Sequence, residues 1–192
     1  MFAAIVLALA FALLPASHGV AAAEPSPSVP SLAGASLAAQ GHDLVAPASP
    51  ATQAKMHKDA KVLATADKKV IEKGMTVLAG RITCYVSTTN AFLSGPGVEV
   101  DVFIYCLDDY GVPTPVYAIG VTLTIFQAGV PVKVGGEVGY FTPGIAGGVV
   151  TDYCLPGAYY YGEAYVEVVF PNGYVPPYRD GAFGSLVSIP VC

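Results

Sequence analysis

The sequence predicts an all-β protein, an antiparallel sandwich of about seven or eight strands over residues 75–192, and three observations carry that prediction. Apolar residues recur at every second position from Met75 onward. Clusters of Gly, Pro, Asn and Asp separate these runs. No helical period appears among them.

Each strand follows from its own alternation. Ile82, Cys84 and Val86 alternate with Arg81, Thr83, Tyr85 and Ser87. Val98, Val100, Val102, Ile104 and Cys106 alternate with Glu99, Asp101, Phe103 and Tyr105. The odd positions from Tyr117 to Ile125 and the even positions from Gly162 to Phe170 repeat the pattern. A pleated strand sends successive side chains to opposite faces, so each run has one face for the core. Shorter runs at 130–134, 137–141, 148–153 and 183–191 complete the set. Turns are expected at Ser94-Gly95-Pro96-Gly97, Asp108-Asp109-Tyr110-Gly111, Gly135-Gly136 and Pro171-Asn172-Gly173.

Three segments precede this domain. Residues 1–23 read as a signal peptide: Ala3 to Leu14 is an apolar run, Pro15 breaks it, and Ala21-Ala22-Ala23 supplies a cleavage site. No Lys or Arg precedes the run, which departs from the usual export pattern. Residues 24–48 are Pro, Ser, Ala and Gly, a disordered linker. Residues 49–74 carry helix punctuation, with Ser49 as N-cap, Pro50 at the first helical position and Gly74 as the stop. Met56, Ala60, Leu63, Ala66 and Val70 make one stripe, and Lys68, Lys69 and Lys73 suit the C-terminal end of a helix dipole. The expectation is a basic amphipathic helix or pro-segment with weak contact to an anionic cell surface.

Charge and histidine placement exclude function classes. Residues 55–74 hold six Lys against three carboxylates, 6 − 3 = +3. Residues 75–192 hold three cations against nine carboxylates, 3 − 9 = −6, so a nucleic-acid partner is not expected. His18, His42 and His57 all precede residue 60, so the domain is expected to hold no histidine and no Ser-His or Cys-His chemistry.

Leu155-Pro156-Gly157-Ala158-Tyr159-Tyr160 leads into the strand at 161–169. This resembles the tyrosine corner of immunoglobulin-like and fibronectin type III-like domains, as found in small secreted bacterial proteins. The resemblance covers 75–192 and implies that Tyr160 points inward and bonds back to the corner backbone. The chain departs from antibody domains in having no Trp and no inter-sheet cysteine pair.

Four cysteines in an exported chain imply two disulfides. An immunoglobulin-like order brings Cys154 and Cys192 to one pole, and a hairpin at Gly95-Pro96 brings Cys84 near Cys106. With no Cys-x-x-Cys, no metal site is expected, and no cofactor.

Among carboxylates, Glu163 and Glu167 stand roughly 13 Å apart along one strand, too far for glycosidase work. Glu99 and Asp101 at about 6.6 Å have suitable spacing, but are expected on a solvated outward face. Asp108 and Asp109 read as turn residues. No catalytic residue is assigned. The candidate binding surface is Tyr159, Tyr161, Tyr165, Tyr174 and Tyr178, rigid aromatics beside a Gly- and Pro-rich loop. The alternative for these rings is cross-strand packing. The reading is a secreted, non-enzymatic binding or structural module for an unidentified protein or glycan. A secreted inhibitor or effector presenting loops, and a carboxylate-dependent hydrolase, are the alternatives.

Overall fold

A computed structural model describes Leu44 and residues 50–192. The expected signal peptide, the rest of the linker and Ser49 lie outside the described residues. One helix, α1 (Pro50–Asp59), precedes ten strands: β1 (Lys61–Glu72), β2 (Met75–Thr88), β3 (Phe92–Ser94), β4 (Gly97–Asp108), β5 (Val116–Gln127), β6 (Val130–Thr142), β7 (Gly144–Val150), β8 (Tyr160–Val169), β9 (Tyr174–Val175) and β10 (Tyr178–Gly184). All pairings are antiparallel.

The strands form two sheets, one of six and one of four. In the larger sheet, β2 and β3 pair with one side of β4 and β7 with the other, while β1 and then β9 extend the sheet beyond β2. The smaller sheet runs β10-β8-β5-β6. The inward side chains of both sheets form one core, with Ile82, Val98 and Ile104 from the first and Ile119, Leu123 and Val166 from the second. Each fully buried side chain of this size stabilises the fold by about 1.5–3 kcal/mol.

The expected inward tyrosine is present. Tyr160 is fully buried at the start of β8, and its hydroxyl accepts a 2.9 Å hydrogen bond from the Leu155 N–H. Both expected disulfides form. Cys84 and Cys106 face each other across β2 and β4 with Cα atoms 4.0 Å apart, and the Cα atoms of Cys154 and Cys192 are 5.6 Å apart. Two disulfides suit an oxidising, non-cytoplasmic setting. No helix among the described residues is long and apolar enough to cross a membrane.

The segment 49–74 departs from expectation. The helix stops at Asp59, and Lys61–Glu72 is strand β1. The stripe of Ala, Leu and Val fits either period, and 11 pairs with β2 decide for strand. Lys73 and Gly74, taken as the end of a helix, form the two-residue hairpin turn. Both have positive φ, 51° and 79°, as a type I′ turn requires. The sandwich therefore begins at Lys61, and Ala64 and Ala66 of β1 lie in the core. With β1 and the short β3 and β9 included, the strand count rises to ten.

Two smaller corrections concern the later strands. Gly135-Gly136 is no turn but the buried middle of β6, opposite Leu123 and Thr122. The run 183–191 yields strand only through Gly184, followed by a bridge from Ser188 to Tyr160.

Histidine is also not absent from the folded unit. α1 lies on the outer face of the larger sheet, where His57 stacks on Tyr105 at 4.3 Å and Tyr105 stacks on Tyr85 at 5.0 Å. Met56, one residue earlier, is buried. His57 thus acts as a packing ring.

Candidate functional site

Five tyrosines were the expected binding surface, and the fold separates them. Tyr161, Tyr165 and Tyr178 share the outer face of the smaller sheet, as the pairing of Tyr178 with Val169 requires. Tyr159 is exposed just before β8. Tyr174 sits in β9 on the other sheet, half-buried against the core.

The three that share a face are engaged within it. Tyr161 stacks flat on Phe126 at 4.8 Å. The Tyr165 hydroxyl donates to Asp180, and the Tyr178 hydroxyl donates to Glu167 Oε1 at 2.8 Å. Glu167 is buried although its parity is outward, with Gly120 opposite it and the Tyr178 hydroxyl on its Oε1. Burial and then the bond to Glu167 push the Tyr178 phenol above its ordinary range. The bond to Asp180 does the same for Tyr165. These phenols stay protonated and serve as donors, which ties β8 to β10.

The carboxylates divide differently from their sequence pattern. Asp108 accepts 2.9 Å bonds from the Tyr110 and Val112 N–H groups, and Asp109 accepts one from the Arg81 N–H at 3.0 Å. Asp108 holds its turn, as expected, while Asp109 lies in that turn and ties it to β2. Glu163 is exposed while Glu167, on the same face, is buried.

Glu99 and Asp101 are not on a solvated face. Asp101 is 1% exposed and Glu99 is 9% exposed. Gly148 of β7 lies opposite Asp101 and makes the room: a Cβ there would collide with Asp101 Oδ1 and stand 3.0 Å from Glu99 Oε1. No hydrogen-bond donor among the described residues reaches either Asp101 oxygen. The contact available is a second acid, Glu99, which disfavours an ionised Asp101. Burial first, and the contact with Glu99 second, lift Asp101 to about 7. The pair is closed to a substrate, unlike the open carboxylates of a glycosidase.

Among the described residues no group of three or more His, Cys, Asp or Glu is placed to hold a metal ion. A groove of about 1040 Å³ lies between α1, residues 87–92 and the end of β10. Asp59 is the single carboxylate among its described lining residues.

Exposed apolar side chains gather on the β1–β2 hairpin, as they also do on β6 and along residues 186–191. Pairing between β2 and β4 starts at Ile82, and β9 touches β1 only at Asp67 and Lys68. Beyond these points the pairs Lys69–Leu78, Val70–Val77, Ile71–Thr76 and Glu72–Met75 have no other neighbour strand. Four pairs at about 3.3 Å per residue make an arm of roughly 13 Å. Ile71 is 79% exposed, Met75 67% and Leu78 61%, with Val77 also exposed. Lys68, Lys69 and Lys73 flank them against one carboxylate, Glu72, so the tip carries 3 − 1 = +2.

The root of the arm is fixed. Arg81 Nε meets Asp67 Oδ1 at 2.8 Å, the Lys69 N–H donates to the Gly173 carbonyl at 3.1 Å, and the Cys84–Cys106 bridge follows four residues after Gly80. The arm is hidden in the sequence because its first strand and turn, up to Gly74, read as a helix. The signal that could have found it is Lys73-Gly74 between two β-branched runs. Comparison with protein-family models, with curated proteins and with solved structures gives no match.

Proposed function

We propose that the protein is an exported, non-enzymatic binding module that meets its partner at the cell surface through the β1–β2 arm. One observation carries this reading. Ile71, Met75, Val77 and Leu78 stand in water on a projecting hairpin whose root is held by an ion pair and lies beside a disulfide. Apolar side chains exposed together mark a contact surface, whereas single ones do not. The immunoglobulin-like resemblance belongs to this proposal, supported by the Tyr160–Leu155 bond and the two antiparallel sheets. A secreted inhibitor is a second reading, favoured by the arm's anchored root, since a rigid presented loop loses little entropy on binding.

The test is an arm-trimmed variant in which residues 70–77 are replaced by Asn-Gly. Lys69 and Leu78 are paired, so a two-residue turn closes them without disturbing the sheet. The full-length protein should co-sediment with the envelope fraction of its source cells, and the trimmed one should remain in the supernatant with an unchanged urea midpoint. Equal sedimentation of both would remove the arm from the binding role.

A further inference from the structure

The arm's chemistry points to one kind of partner. Opposite residues of a hairpin share a face, so Lys69, Ile71, Thr76 and Leu78 lie on one side, and Val70, Glu72, Met75 and Val77 on the other. Exposed apolar residues therefore occupy both faces. A partner laid flat against one face would leave the other in water. A medium that surrounds the tip covers both.

The charges select which medium. Six of the seven lysines fall within residues 55–73, three of them on the arm, while residues 75–192 carry −6. The folded unit is thus a basic tip on an acidic body, and an anionic surface attracts the tip and repels the rest.

Resting on the arm as the binding element, we propose that its tip inserts into the interfacial layer of an anionic lipid membrane. Ile71, Met75, Val77 and Leu78 enter among the upper acyl chains, and Lys68, Lys69 and Lys73 meet the phosphate headgroups. Entry is shallow. The outer edges of β1 and β2 carry backbone groups with no partner strand beyond Lys68, and these must stay within reach of water or headgroups. A depth of about 5–10 Å, typical of interfacial elements, is within the arm's length.

The chain has no tryptophan, so a single introduced indole reports without background. Met75→Trp should shift its emission to the blue with vesicles of phosphatidylglycerol and phosphatidylcholine, and stay unshifted with phosphatidylcholine alone. Ile71→Asp with Leu78→Asp in that background should abolish the shift. Replacing Lys68, Lys69 and Lys73 by Ala should raise the lipid needed about a hundredfold, since each lysine near an anionic leaflet contributes about fivefold. An equal shift on both vesicle types would overturn the selection by charge. No shift on either, with sedimentation on the envelope retained, would overturn the lipid and assign the arm to a protein or glycan. Loss of both would remove the arm reading as well.

Discussion

Asp101→Asn should stabilise the protein at alkaline pH and leave it nearly unchanged at acid pH. The folded chain holds the Asp101 proton up to about 7, whereas the unfolded chain releases it near 3.8. Between these values the folded state binds more protons, so stability falls as pH rises from about 4 to 7, and the loss is complete above 7. A gap of about 3 pH units corresponds to about 4 kcal/mol. Solvent screening and local relaxation bring this to about 2 kcal/mol. Asn is neutral throughout, and its amide offers Glu99 the donor that Asp101 lacks when ionised. Urea unfolding at about pH 4.5 and about pH 8.5 should show the variant gaining about 2 kcal/mol over wild type only at the higher value. A wild type that gains on the variant as pH rises would refute the proton held on Asp101. So would two proteins with parallel profiles.

Two further outcomes follow from the geometry. Tyr160→Phe removes the acceptor for the Leu155 N–H while keeping the buried ring, and should cost about 1–2 kcal/mol in urea unfolding; no change would mean that water replaces the hydroxyl. Cys84→Ala with Cys106→Ala opens a bridge of sequence separation 22 and should cost about 3 kcal/mol, with Cys154–Cys192 retained; a loss below about 1 kcal/mol would mean that the unfolded chain keeps the two positions close without the bond.

The sandwich was legible in the sequence because alternation is a local property. A pleated strand turns every second side chain inward whatever its partner, so Val98 to Cys106 and Tyr117 to Ile125 declared themselves. Tyr160 and both cysteine pairs followed once strands and turns were placed in order. Segment 61–72 was not legible. Its Ala, Leu and Val positions satisfy a period of two as well as spacings of three and four, and the choice rests on ladder bonds to residues 75–88.

The carboxylates and tyrosines teach the same lesson on the other face. Alternation assigns Glu99, Asp101 and Glu167 outward but says nothing of what lies beside them: Gly148 leaves the space that Asp101 and Glu99 fill, and the Tyr178 hydroxyl meets Glu167. Nor can spacing along the chain tell that Tyr165 and Tyr178 meet acids while Tyr174 joins the other sheet. By itself, then, the sequence determined the class of fold, three of the four expected turns and the covalent bridges, since these depend on neighbours in the chain or on very few pairings. Tertiary structure alone decided that a basic segment is a projecting arm and that two acids are buried, because both depend on which strands come to lie side by side.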